Sequence, residues 1–283
     1  MQGIAAAAQI PVDHYENFPV ASWLCPPRIR PAIQAIYAFA RSADDIADEG
    51  DWPEDERLGR LAQYRELLRA TFAGTPPRDA HWPALHAAIV AHDLPAQPFL
   101  DLLSAFEQDV TTVRYRNFDH LLDYTRRSAN PIGRLLLHLY GIDDARSQQQ
   151  SDAICTALQL INFWQDVAID RAKNPPRGRI YLPLDSLARY GIGEMQVLRG
   201  RFDANFSALL AYECRRARDM MLRGAPLVHT LPGRVGWELR LVVQGGLRIL
   251  EKMERVDYDV YAHRPVLGRT DHLLMALRAL VMR

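Results

Sequence analysis

Apolar residues recur at helical spacing through almost the whole chain, while the period-two alternation of β-branched residues that marks strands is hard to find anywhere. Segments rich in Ala, Leu, Arg and Gln read as helices at 28–49, 54–73, 82–92, 96–108, 118–128, 131–140, 146–171, 183–188, 193–222, 234–256 and 269–282. Breakers separate them: Pro26-Pro27, Gly74 to Pro77, Asn130-Pro131, Gly141, Pro175-Pro176, Gly191 and Pro232-Gly233. No shift of composition marks a boundary and no repeat recurs. The sequence therefore predicts one all-α domain over residues 1–283.

Within this pattern, two helices carry acids on the wrong face. In AIQAIYAFARSADDIADEGD the apolar stripe runs Ile33, Tyr37, Ala40, and its continuation lands on Asp44 and Asp48. Asp45 and Glu49 lie beside them, so four acids fall within six residues. Burying even one unpaired carboxylate is costly, and four close together repel one another. In LQLINFWQDVAIDRAK the residues Gln159, Asn162, Asp166 and Asp170 form a narrow polar stripe, flanked by Leu158, Leu160, Ile161, Phe163, Trp164, Val167 and Ile169. A helix apolar on most sides is buried, so this stripe is expected to face an internal cavity.

A single DxxxD repeat also fits a solvated helix face. Two on separate helices fit a different chemistry. Hard carboxylate oxygens suit Mg²⁺, which takes one or two carboxylates together with substrate phosphate. Two such clusters across a cavity would hold several Mg²⁺ ions around a diphosphate and help it leave, while apolar walls hold a hydrocarbon chain.

Composition narrows the alternatives. Lys plus Arg and Asp plus Glu each total 34, so the net charge is zero, and a nucleic-acid partner is not expected. Cys25, Cys155 and Cys214 form no CxxC pair, which argues against a disulfide framework or a structural zinc site and favours a reducing, cytoplasmic location. The segment MQGIAAAAQIPVDHYENFP has no basic n-region, and no apolar run is long enough to span a bilayer. The last segment, HLLMALRALVMR, fits either a helix packed on the core or one resting on a membrane surface.

DDIAD at 44–48, DVAID at 166–170, YTRRSANPIG at 124–133 and DVTTVRY at 109–115 resemble the motifs of the squalene/phytoene synthase family, over about residues 14 to 270. HYENFPVASWLCP at 14–26, IYAFARSADDIADEGD at 36–51, RRSANPIGRLL at 126–136 and NFWQDVAID at 162–170 look like its bacterial hydroxysqualene synthase branch, of the hopanoid pathway. Gln165 stands where phytoene and squalene synthases more often carry Arg, and the insert KNPPRGR at 173–179 is longer than usual for the family.

The resemblance implies an isoprenoid synthase-type helical bundle around a central cavity. It also implies Mg²⁺-dependent loss of diphosphate from presqualene diphosphate, with water capture giving hydroxysqualene. The alternatives are head-to-head joining of two prenyl diphosphates such as farnesyl diphosphate, to presqualene diphosphate, squalene, dehydrosqualene or phytoene, and an inactive adaptor that keeps only the fold. Position by position it implies Asp44, Asp48, Asp166 and Asp170 as Mg²⁺ ligands, with Asp45 a weaker candidate and Asn162 a metal or diphosphate ligand. His14, Asn17 and Arg41 match diphosphate contacts, and Tyr37 and Tyr124 match cavity tyrosines. Gln159 matches a cavity-lining position, Arg179 and Tyr181 a flap after the second motif, and Tyr258 a tyrosine near the diphosphate. Read from the residues alone, Tyr37 and Tyr124 fit a packed core equally well, and Arg41 fits an i,i+4 pair with Asp45. Gln159, Asn162 and Gln165 are the candidates to position the attacking water. A lipid substrate also suggests peripheral contact with the membrane and with other enzymes of the pathway.

Overall fold

A computed structural model describes residues 26–282 of the chain. Among these residues there are thirteen α-helices and no strand; the nearest to one is an isolated bridge between Arg114 and Ile180. The all-α expectation holds.

The first layer comprises α1 (Arg30–Asp48), α2 (Glu54–Phe72), α3 (Trp82–His92) and α4 (Gln97–Thr111). Its core gathers Phe39 of α1, Tyr64 of α2, Trp82 of α3 and Phe99 of α4, with Phe39 edge-on to Phe99 at 5.2 Å. Tyr64 donates to the Phe39 carbonyl at 2.9 Å, so its buried hydroxyl is not left unpaired.

The second layer is built on α5 (Phe118–Ser128), α6 (Asn130–Leu139), α7 (Ala145–Gln165), α11 (Ala204–Gly224) and α12 (Gly233–Arg255). Gly133 makes the crossing of α6 and α7 possible. A Cβ there would lie 2.6 Å from Cys155 Sγ and closer still to Ser151 Oγ.

The expected helix 146–171 is interrupted. α7 ends at Gln165, Asp166 adopts φ −105° and ψ 15°, and a single turn, α8 (Val167–Asp170), follows. The cause is tertiary. Gln165 donates to the Pro265 carbonyl at 2.5 Å and Arg264 grips Asp166, so the helix end is pinned from a distant loop. The expected helix 193–222 also splits, into α10 (Glu194–Leu198) and α11, with Gly200 left-handed at φ +65°. Asp203 caps α11 by accepting from the Phe206 amide at 2.9 Å. Between the second aspartate pair and α10 lies the short α9 (Leu184–Arg189).

α13 (Arg269–Val281) packs on α12 through Met275 and Ala279, and its buried Asp271 binds Arg248 and Lys252 of α12. The core-packed reading is met on this side, while the other face exposes Leu273, Leu277 and Leu280.

Candidate active site

Between the two layers lies a cavity of about 580 Å³. Its wall is largely apolar, with Ile33 and Ile36 of α1, Phe106 of α4, Leu136 of α6, Leu158 of α7 and Leu239 of α12 among the lining residues. The stripe expected on α1 is realised as far as Asp44, since Ile33, Tyr37, Ala40 and Asp44 all line it, whereas Asp48 lies beyond the wall. The fully packed face of α1 lies alongside, at Ala32, Phe39, Ala43 and Ala47. Tyr124, Gln159 and Arg41 also line the cavity, and so does Asp109.

Asp48 and Asp170 meet around Lys173, which also acts on Asp44. Asp48 accepts from Lys173 Nζ at 3.2 Å and from Arg179 at 3.3 Å. The same Lys173 lies 3.8 Å from Asp170, so one ammonium bridges the first and second aspartate pairs. Arg41 pairs with Asp44 at 3.2 Å and with Asp45 at 2.7 Å, so the expected i,i+4 pair forms, and Arg41 also lines the cavity. Arg264 holds Asp166 through both carboxylate oxygens, at 2.5 and 3.2 Å.

The acids are not electrostatically relaxed. Burial, reinforced by Asp48, pushes the Asp44 carboxyl up to about 6. Burial also pushes Asp170 up to about 7, with Lys173 opposing and Asp166 adding to the rise. For Asp48 burial acts upward too, but Arg179 and Lys173 outweigh it and hold the carboxyl below its usual range. Asp109 is 6% exposed, and burial lifts it to about 7 against the pull of Arg179.

Aromatic stacking fixes the second pair's surroundings. Tyr181 stacks on Phe163 at 3.6 Å and 8°, and Tyr124 donates to Asp109 Oδ2 at 2.8 Å. Arg179 is buried, donating to the Asp109 carbonyl at 2.7 Å and to the Tyr181 hydroxyl at 3.2 Å. Arg114 clamps the preceding segment by donating to the Gly178 carbonyl at 2.5 Å and the Arg177 carbonyl at 2.9 Å.

Three expectations need correction. Gln165 is buried and spends its amide on the Pro265 carbonyl, because it points off the polar stripe, so it does not line the cavity. Asn162 lies exposed on the stripe and, like Asp166 and Asp170, outside the cavity wall, so it is not placed to hold a water inside the cavity. Tyr258, held left-handed at φ +60°, has Cys214, Glu254 and Arg215 as its strongest electrostatic neighbours, none of which belongs to the acid cluster. His14 and Asn17 lie outside the described residues.

Among the described residues no three His, Cys, Asp or Glu side chains already converge on one ion position. The donor chemistry nonetheless fits Mg²⁺, an ion that needs only one or two carboxylates when phosphate and water complete its shell. Asp44, raised by burial and by Asp48, and Asp170, raised by burial and by Asp166, are the carboxylates whose negative charge a divalent cation would stabilise.

Asp109, Lys173 and Arg264 were not among the expected site residues. Asp109 carried the same signal as Asp44, since it continues the stripe Phe99, Leu102, Phe106 at helical spacing. Lys173 stands three residues after Asp170, which is also helical spacing. Arg264 is 98 positions from Asp166, and no local pattern announces it.

A family model described as squalene/phytoene synthase matches residues 12–271. The chain is 42% identical over 248 residues to a hydroxysqualene synthase of Rhodopseudomonas palustris, covering 86% of this chain and 80% of that one. It is 33% identical over 243 residues to a hydroxysqualene synthase of Sinorhizobium fredii, with the same coverage of 86% and 80%. The crystal structure of squalene synthase HpnC from Alicyclobacillus acidocaldarius superposes with a TM-score of 0.79 at 36% identity, over 87% of this chain and 90% of that one.

Proposed function

The chain belongs to the squalene/phytoene synthase family, and on that premise we propose that it is a hydroxysqualene synthase, converting presqualene diphosphate and water into hydroxysqualene and diphosphate. The observation that carries the reading is Asp44 on the wall of an apolar cavity, with Lys173 joining the other acid of its motif, Asp48, to Asp170 of the second motif. Asp44, Asp48, Asp166 and Asp170 are the residues that would hold Mg²⁺. When bound, the ion supplies charge neutralisation to the departing diphosphate.

The chain's own side chains do the rest. Arg41, Lys173 and Arg179 bring cationic groups to the acid end, where a diphosphate binds in exchange for their carboxylate partners. Ile33, Ile36, Leu136, Leu158 and Leu239 hold the hydrocarbon and exclude bulk water from the reacting carbon. Tyr37 and Tyr124 also line the cavity, and an aromatic ring there stabilises a nearby carbocation through its negative face.

We take the chain as one domain working at the cytoplasmic surface of a membrane. The exposed Leu273, Leu277 and Leu280 of α13 support a peripheral contact with the bilayer in which so apolar a substrate dissolves. The test is incubation of purified protein and Mg²⁺ with presqualene diphosphate and, separately, with farnesyl diphosphate. Hydroxysqualene from the first is the expected product. A coupled product from farnesyl diphosphate without hydroxysqualene from presqualene diphosphate assigns the chain to the condensing members of the family, and no product from either substrate assigns it to the inactive adaptor.

A further inference from the structure

On the reading just proposed, the reaction ends when one water adds to a carbocation inside an apolar cavity. That step needs a group that orients the water and then takes its proton. None of the three amides singled out by the sequence meets the need. Asn162 is exposed, Gln165 is committed to the Pro265 carbonyl, and Gln159, though it lines the cavity, carries an amide with no useful basicity.

We propose that Asp109 positions the attacking water and accepts its proton. Asp109 lines the cavity from α4 and is almost fully buried. Its two oxygens are unlike. Oδ2 accepts the Tyr124 hydroxyl at 2.8 Å, whereas Oδ1 has no hydrogen-bond partner and stands 3.9 Å from Arg179. A buried carboxylate oxygen without a donor is costly, and a water that donates to it removes that cost.

The place is right as well. Arg179 bridges from the Asp109 backbone to Asp48, so this carboxyl adjoins the end of the cavity where diphosphate departs and positive charge appears. Tyr124 holds the carboxyl in one orientation, and Arg179 opposes the burial that would otherwise keep it protonated.

The step balances. A lone pair of the water oxygen forms the carbon–oxygen bond at the cationic carbon. The O–H bond of the resulting oxonium breaks, and its proton passes to Asp109. The product is the neutral alcohol, and the proton is later released to the diphosphate or to solvent. No oxidant or reductant enters.

The test follows two products at once, diphosphate and the organic product, from presqualene diphosphate with Mg²⁺. Wild type is expected to give one hydroxysqualene per diphosphate. Asp109→Asn keeps the shape and the link to Tyr124 but removes the base, so diphosphate is still released while the hydroxysqualene share falls by about 100-fold, replaced by hydrocarbons formed through proton loss. Tyr124→Phe, which loosens the carboxyl without removing it, is expected to give an intermediate share, and it decides the matter if Asp109→Asn shows no cooperative unfolding transition.

An unchanged share in Asp109→Asn, or an equal fall in diphosphate release and hydroxysqualene, overturns the assignment. So does a shifted share in Glu238→Gln, the other acid on the cavity wall outside the aspartate motifs among the described residues, with none in Asp109→Asn. Absence of hydroxysqualene from wild type overturns the reading of the reaction, and this assignment with it; a normal wild type beside an unaltered Asp109→Asn overturns the assignment alone.

Discussion

Lys173 and Asp48 are joined at 3.2 Å across the gap between the two aspartate motifs, from positions 125 residues apart. The ammonium stands where charge compensation is needed, within 3.8 Å of Asp170 as well. It therefore competes with any divalent cation for the same carboxylates. Lys173→Met is expected to bind Mg²⁺ alone about tenfold more tightly, measured by calorimetric titration. It should also lower metal-free stability by less than about 1 kcal/mol, because the lysine is 43% exposed. Weaker Mg²⁺ binding in the variant would contradict the competition.

Removal of the carboxylates themselves is expected to act on the chemical step. Asp44→Ala and Asp166→Ala should each lower turnover of presqualene diphosphate by about 1,000-fold, the equivalent of roughly 4 kcal/mol of lost transition-state stabilisation. Both variants should also lose the Mg²⁺-dependent rise in melting temperature seen with a non-ionising diphosphate analogue. Full activity in either would remove that residue from the metal site.

Gly133 is a packing requirement at the crossing of α6 and α7. Gly133→Ala would put a methyl group 2.6 Å from Cys155 Sγ, so the two helices must separate. The expected cost is about 1–3 kcal/mol in urea unfolding, with reduced substrate affinity because Gly133 and Cys155 both line the cavity. A variant as stable as wild type would mean that the crossing has slack.

The anchorage of α13 is expected to be acid-sensitive. Hydrogen bonds from Lys252 and Gly268, then Arg248, hold the Asp271 carboxyl far below its usual range. A folded-state value below the unfolded one means that the unfolded chain binds the proton more readily. The contribution is therefore complete above the unfolded carboxylate value of about 4 and is lost as pH falls below it. Asp271→Asn should destabilise by about 3 kcal/mol at pH 7 and flatten the stability profile between about pH 4 and 2. Equal acid sensitivity in wild type and variant would place the effect elsewhere.

Much of the site could be read locally. Asp44 and Asp48 stand out because helical geometry carries the stripe of Ile33, Tyr37 and Ala40 onto them, and the structure puts Asp44 on the cavity wall as that geometry implies. Asp109 was open to the same test, following Phe99, Leu102 and Phe106. Gln165 was misplaced because side-chain direction at the end of α7 depends on Pro265, a residue 100 positions away. Asn162 shows a second limit: positions on one stripe can differ in surroundings, so Gln159 lines the cavity and Asp170 is buried while Asn162 between them is exposed.

By itself the sequence determined the helical class, most helix boundaries and the identity of the acid pairs, because periodicity, Pro and Gly breakers and carboxylate spacing are properties of neighbouring residues. Only the tertiary structure decided which charges meet. Lys173 between the two motifs, Arg264 on Asp166, and the Asp109 carboxyl with one oxygen bound and one without a partner all arise from contacts between distant segments. Electrostatic energy depends on distance and burial in space, and neither is a function of separation along the chain.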